Sequence, residues 1–199
     1  MQGIQEKILK LDKILTIKQS SATQFLNEGI TSEEIIEFFR EYGLNIKNDD
    51  GLTLLYSWHN GTTTTMLPTG NFYLFPTFYF MSIEEISNTI IEYEPFYLFT
   101  ESGLIPFFSS GDDYLSIAIN SQQLGPEIYY STISNTEVQD LHTSIFDSID
   151  SMLRTITQCF EENIFRKKDF YFEISDYHQY KKIATSDNPL SKYWKLQQW

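Results

Sequence analysis

The adjacent carboxylates Asp112 and Asp113 are the residues whose type and spacing most readily suggest chemistry. They end the segment 109–113, which reads Ser-Ser-Gly-Asp-Asp and is typical of a tight turn. Two carboxylates on a turn can bind a hard cation such as Ca²⁺, which takes about six to eight oxygen ligands. The segment lacks the alternating acidic ligands of an EF-hand loop, and turn aspartates commonly accept hydrogen bonds from nearby backbone N–H groups. We therefore predict a structural turn, with no metal site and no cofactor.

Other catalytic candidates are few. The histidines His59, His142 and His178 are far apart in sequence and lack ligand-like spacing, so the fold would have to assemble any histidine site. The sequence contains no phosphate-binding glycine loop, no Gly-x-Ser-x-Gly segment and no His-Glu-x-x-His segment. Cys159 is the only cysteine, so no intramolecular disulfide can form, and its helical surroundings are typical of a core residue. We predict no catalytic residue and expect that the protein is not an enzyme.

The negative charge is concentrated in one part of the sequence. The chain has a net charge of −13. Residues 84–162 contain fourteen acidic residues and one basic residue, Arg154, so this segment carries the whole excess. Such a charge repels nucleic acids and anionic membranes and favours a basic protein partner. Composition alone leaves a second interpretation open, in which the charge only maintains solubility.

Composition favours one soluble domain with a sheet. The 199 residues are 41% hydrophobic and 16% aromatic, which is enough to bury a core without disulfides or metal. The abundance of Phe and Tyr favours strands. No stretch approaches the roughly 20 apolar residues of a transmembrane helix, and the N-terminus lacks the apolar region of a signal peptide. We expect a cytoplasmic protein, with the oligomeric state open between monomer and weak dimer.

Apolar residues at helical spacing predict five helices. Thr31 and Ser32 are candidate N-caps of the second helix, and Gly43 and Asn60-Gly61 are predicted helix stops. The predicted helices span approximately residues 4–15, 31–43, 52–58, 82–93 and 144–165.

The middle of the chain has β-prone aromatic and alternating segments. Pro76 marks an edge, bulge or break in the first of them. The predicted strands are 72–80, 97–99 with 104–108, 114–120 and 128–132. Short turns between the later strands imply an antiparallel meander.

The elements predict a single domain with additions at both ends. The N-terminal helix within 1–30 is expected to pack on a main domain of residues 31–165. Residues 166–199 are basic and rich in tyrosine, and they contain Trp194 and Trp199. We expect this segment to form a C-terminal extension that packs on the main domain.

The order of local signals carries more information than any one of them. The ordered segments are Gly43-Leu44-Asn45-Ile46, Trp58-His59-Asn60-Gly61, Ser82-Ile83-Glu84-Glu85-Ile86, Leu104-Ile105-Pro106-Phe107-Phe108-Ser109-Ser110-Gly111-Asp112-Asp113-Tyr114-Leu115 and Gly125-Pro126-Glu127-Ile128-Tyr129-Tyr130. This succession resembles the SUKH superfamily, the Smi/Knr-type domain of fungal cell-wall regulators and of bacterial immunity proteins. The resemblance covers roughly Thr31 to Phe165. The chain departs from the family pattern at Lys47 to Asp50, where a proline is common, and in the segment after Phe165.

The resemblance implies an α+β fold with a curved, mostly antiparallel central sheet and helices packed around it. It also implies an immunity protein that binds and neutralises a toxin domain. Many such toxins are nucleases, which are basic, so an acidic inhibitor can mimic their substrate electrostatically. One of two neighbouring tyrosines is expected in the core, because alternate strand positions face opposite sides. The expected partner-binding residues are Glu101, Asp112, Asp113, Glu127, Tyr129 and Tyr130.

Three other functions remain open from the sequence. The first is a non-catalytic regulatory or scaffold protein of the Smi/Knr cell-wall-signalling type. The second is an enzyme built around Asp112, Asp113 and His142, which would require those groups to lie within hydrogen-bond reach of one substrate. The third is a structural or capsid-associated protein.

Overall fold

The chain forms one meander sheet with helices drawn from both ends of the sequence. The computed structural model describes residues 2–64, 66–93, 99, 102–119, 127–132 and 142–197. The helices are α1 (Gln2–Ile17), α2 (Ser32–Glu41), α3 (Gly51–Trp58), α4 (Ile83–Tyr93), α5 (Ile149–Glu161), α6 (Tyr177–Asp187) and α7 (Tyr193–Leu196). The strands are β1 (Tyr79–Phe80), β2 (Leu104–Ser109), β3 (Asp113–Ala118), β4 (Ile128–Thr132), β5 (His142–Phe146), β6 (Phe165–Lys168) and β7 (Tyr171–Ile174).

The five strands β1 to β5 pair in sequence order, and every pair is antiparallel. The sheet is open, and β6 and β7 form a separate hairpin. The predicted α+β class, with an antiparallel central sheet and surrounding helices, is confirmed. One continuous cluster of buried apolar side chains joins the sheet to the helices of both chain ends.

Two predicted helix boundaries are confirmed together with their physical causes. The Thr31 hydroxyl accepts a hydrogen bond from the Glu34 N–H, and the Glu34 carboxylate accepts one from the Thr31 N–H at 2.9 Å, which forms a capping box. After α3, Gly61 adopts a φ of +68°. A Cβ atom at this position would lie 2.1 Å from the backbone nitrogen of Ser82, so glycine is required both by conformation and by space.

The prediction of one long helix from residue 144 was wrong at its start. Residues 142–146 form β5, which pairs with β4, and the helix α5 begins only at Ile149. Ser148 and Ser151 form a capping box that fixes this start. Ser144 and Ile145 fit the helical spacing by coincidence, because pairing with β4 outweighs local periodicity in so short a segment.

The prediction of an aromatic strand over 72–80 was also largely wrong. Only Tyr79–Phe80 forms a strand, and residues 69–72 form a 3₁₀ helix. Pro76 has no N–H to donate to a ladder, and Thr77 adopts a φ of +73°. The chain therefore turns back on itself here, with an isolated bridge between Phe75 and Phe78. The predicted strand 97–99 lies almost entirely outside the described residues, as does Asn120 at the end of the predicted strand 114–120.

Strand register determines which side chains share a face of the sheet. Leu115 of β3 pairs with Tyr130 of β4, and Ser116 pairs with Tyr129. Directly paired residues lie on the same face, and successive residues lie on opposite faces. Tyr130 therefore shares a face with Leu115 and Asp113, and Tyr129 lies on the other face.

The C-terminal segment is bound to the outer strand of the sheet. Trp194 is 1% exposed, and its indole N–H donates to the Ile145 carbonyl at 2.7 Å. The Ser191 hydroxyl donates to the Ser144 carbonyl at 2.9 Å, as does the Lys192 N–H at 3.1 Å. Strand β6 extends across the boundary expected at residue 165, and both sides of that boundary contribute to the same core.

Replacement of Trp194 tests whether this segment is part of the cooperative fold. We expect Trp194→Ala to lower the free energy of unfolding by about 3–5 kcal/mol, because it removes a fully buried aromatic side chain. The matched control is Leu196→Ala in the same helix, where the side chain is 68% exposed and the expected change is within about 0.5 kcal/mol. Urea denaturation measures both, and equal effects of the two changes would contradict the assignment.

Candidate functional site

A cleft of about 340 Å³ lies between the sheet, the segment before β1 and the C-terminal helices. Nine of its sixteen lining residues are aromatic. We name it the aromatic cleft, and its defining residues are Asp113, Tyr130, Tyr177, Tyr180, Tyr193 and Trp194. Among the described residues that line it, Asp113 is the one acidic or basic residue.

The β2–β3 turn places Asp113 at the cleft. The Ser110 N–H donates to the Asp113 carbonyl at 2.9 Å, and the Gly111 N–H donates to the Ser109 hydroxyl at 3.1 Å. Gly111 adopts a φ of +94°, which glycine tolerates at no steric cost. The predicted turn is confirmed, but Ser109 makes the side-chain bond to the turn backbone that we expected from an aspartate. Both aspartate carboxylates remain outside the turn's own hydrogen bonds.

Tyr130 links Asp113 to the C-terminal aromatic residues. Its ring centroid lies 5.2 Å from that of Tyr193. Burial raises the pKa of the Tyr130 hydroxyl, and its hydrogen bond and proximity to the Asp113 carboxylate raise it further. Burial, followed by the charge of Asp113, also raises the pKa of Tyr193. Both hydroxyl groups therefore remain protonated at neutral pH.

The far wall of the aromatic cleft is rigidly packed. Trp194 contacts Tyr193 and Tyr180 in edge-to-face arrangements, with ring centroids 4.9 Å apart in each case. Tyr180 also packs against Phe165 with a centroid separation of 5.2 Å. Such packing holds the rings in one arrangement before any ligand arrives, which reduces the ordering cost of binding.

Several aromatic rings beside one carboxylate form an environment suited to a cation. Ring faces attract positive charge through their quadrupoles, and a carboxylate supplies a charge-assisted hydrogen bond. An anion would be repelled by Asp113. A purely apolar ligand would bury this carboxylate without supplying a cation to it, which is costly.

The structure brings together only part of the predicted site. Asp113 and Tyr130 both line the aromatic cleft, and Asp112 is exposed on the turn next to it. Tyr129 lies on the opposite face of the sheet and is half-buried. Glu127 lies in a different cleft. Glu101 is outside the described residues.

Glu127 lies in a second cleft of about 330 Å³, near the start of α3 and α5. Asp49, Asp50 and Asp150 also line it. Burial raises the pKa of Glu127, and the charge of Asp50 raises it further, while a hydrogen bond from the backbone of Ile149 lowers it. Glu127 is therefore held in an environment unfavourable to its charge.

The acidic segment is partly neutralised by the N-terminal helix. Lys7 of α1 forms an ion pair with Asp150 at 2.7 Å, and Lys10 forms one with Glu161 at 2.8 Å. Two of the acidic residues of segment 84–162 are therefore paired with lysines of α1. Neither lysine lines the aromatic cleft.

The candidates for catalysis are not assembled in the described part of the chain. His142 pairs with Ser131, whose hydroxyl lies 2.8 Å from the histidine Nδ1, and Asp113 pairs with Thr132. These two pairs lie on opposite faces of the sheet, so Asp113 does not approach His142. Ser131 is fully buried. No group of three or more His, Cys, Asp or Glu residues that could hold a metal ion occurs among the described residues.

Cys159 lies in the core on α5, as its sequence context indicated. Burial raises the pKa of its thiol, and the charges of Glu162 and Asp187 raise it further. The neutral thiol is a poor nucleophile.

The sequence did not lead us to four of the six residues that define the aromatic cleft. Tyr177, Tyr180, Tyr193 and Trp194 all lie in segment 166–199, which the sequence predicts to be an extension. A signal was present in the tyrosine-rich composition of that segment. Its contact with β5 could not be predicted, because the spacing of apolar residues predicts a helix where β5 forms.

Comparison with protein-family models and with curated proteins finds no match to this chain. No helix among the described residues is long and apolar enough to cross a membrane.

Replacement of Glu127 by glutamine tests the environment of the second cleft. Its raised pKa means that the folded state binds the proton more tightly than the unfolded state, so its contribution to stability falls as pH rises above about 4.3. We expect Glu127→Gln to increase the free energy of unfolding at pH 7. The gain should vanish as pH falls below about 4.3, where wild-type Glu127 is also neutral. Urea denaturation at the two pH values measures this.

The control for Glu127→Gln is Glu84→Gln, which neutralises an exposed glutamate on α4. Its effect at pH 7 should be smaller. A loss of stability in Glu127→Gln at pH 7 would contradict the assignment.

Proposed function

We propose that this chain is a non-catalytic binding protein that holds a basic protein partner at the aromatic cleft and the adjoining β2–β3 turn. One observation carries the proposal. Asp113 is the one acidic or basic residue in the described lining of an open cleft, and nine of the sixteen lining residues are aromatic. Asp112 extends the negative surface onto the exposed turn. This arrangement favours the approach and the seating of positive charge.

The partner that we propose is a basic toxin domain, of which a nuclease is the leading example. The support for this step is the resemblance to immunity proteins of the SUKH type, together with the net charge of −13. A nuclease must attract a polyanion, so its active surface is positive and complements an acidic inhibitor. The protein would act in the cytoplasm by occupying that surface, with no chemical step of its own.

The proposal is tested with the product of the gene directly upstream of this one. We expect the two proteins to associate, and we expect the association to weaken between about 0.1 M and about 1 M salt, where the Debye length falls from about 10 Å to about 3 Å. Surface plasmon resonance measures the rates. No association, or association unaffected by salt, would contradict the proposal; a regulatory scaffold would show no such neighbour.

Charge reversal on the β2–β3 turn tests whether the partner binds at this surface. We expect the double change Asp112→Lys and Asp113→Lys to lower the association rate constant at least about tenfold, within the range of electrostatic steering. The matched control is Glu33→Lys with Glu37→Lys, which makes the same change in net charge on the exposed side of α2. Equal effects of the two double changes would mean that only the total charge matters.

A further inference from the structure

We propose that the aromatic cleft is a socket for the guanidinium group of one arginine side chain of the partner, with Asp113 as its counter-ion. This inference rests on the proposed function only for the identity of the partner. It adds which chemical group enters the cleft and which residues receive it.

The carboxylate of Asp113 favours a cation in the cleft, and the described residues do not supply one. Asp113 is half-buried, and the ion pairs of the described residues do not include it. Its carboxylate is hydrogen-bonded to the Tyr130 hydroxyl, which is neutral. A half-buried carboxylate gains most from a cation that also displaces water from the surrounding rings.

The shape and lining favour guanidinium over ammonium. A guanidinium group is planar and weakly hydrated, so it can lie on an aromatic ring while its N–H groups donate to a carboxylate. The rings of Tyr130 and Tyr193, inclined at 49° to each other, lie next to Asp113. A lysine ammonium is compact and strongly hydrated and would gain less from these faces.

The dimensions fit a side chain rather than a whole peptide segment. A volume of about 340 Å³ lies at the lower end of the range of small-molecule sites, which is about 300–1,000 Å³. The cleft also exists only where the C-terminal segment meets the sheet, because Tyr193 and Trp194 form one wall and Tyr130 forms the other. The C-terminal segment therefore completes the socket.

The test uses the full chain and three short peptides as probes. They are acetylated and amidated tripeptides with a central arginine, lysine or citrulline, and citrulline has the shape of arginine without its charge. Binding is followed by NMR through the indole N–H signal of Trp194, which is assigned from the spectrum of Trp194→Phe. We expect the arginine peptide to bind with a Kd on the order of 1 mM and to shift this signal. We expect citrulline to bind at least about tenfold more weakly, a difference of about 1.4 kcal/mol, and lysine to bind more weakly than arginine.

Three variants distinguish binding in the socket from a general effect of net charge. We expect Asp113→Asn to weaken arginine-peptide binding at least about tenfold. Glu37→Gln, which removes one charge from the exposed side of α2, should change it less than about twofold. Tyr193→Leu keeps an apolar wall without the ring face, and it should also weaken binding while the NMR spectrum of the core is retained.

Three results would overturn the inference: equal binding of arginine and citrulline peptides, equal effects of Asp113→Asn and Glu37→Gln, or no shift of the Trp194 signal. Stronger binding of lysine than arginine would overturn the choice of guanidinium. A different result would contradict the proposed function alone. In that case arginine peptides would bind normally, but no basic partner protein would be found. A basic partner that binds the wild-type protein and Asp113→Asn equally would support the proposed function and contradict the socket.

Discussion

Hydrogen bonds from the C-terminal segment cover the outer strand β5 and hold that segment against the sheet. Strand β5 is the last in the meander, so its outward backbone groups need partners from elsewhere. Ile145 is the extra residue where the β4–β5 register shifts, and its carbonyl accepts the indole N–H of Trp194. The carbonyl of Ser144 is bound by Ser191 and Lys192. The C-terminal segment is therefore held against β5, and the aromatic cleft is formed between that segment and the sheet.

The sequence predicted the elements whose determinants are local. Thr31 and Glu34 form a capping box within one helical turn, and Gly61 is required by its own backbone conformation. The β2–β3 turn follows from the same kind of local chemistry. β5 was missed because its strand character comes from pairing with β4, which a short segment does not reveal by periodicity.

For the same reason, only part of the candidate site could be predicted from the sequence. Asp113 and Tyr130 belong to elements recognised from local pattern, and they are brought together by the β3–β4 register. Tyr193 and Trp194 reach the cleft through long-range contacts with the sheet. The concentration of acidic residues in the sequence indicated the site less well than the strand pattern did. Two of these acidic residues are paired with lysines of α1. What distinguishes Asp113 is its place among aromatic rings.

Hydrogen exchange of the protein alone and in complex with its upstream-encoded partner shows whether a basic protein binds the surface formed by the β2–β3 turn and the C-terminal helices. We expect slower exchange in the complex at the backbone amides of 110–114 and 192–196, with little change in α2. Protection confined to α2 or to the second cleft around Glu127, with none at the aromatic cleft, would contradict it.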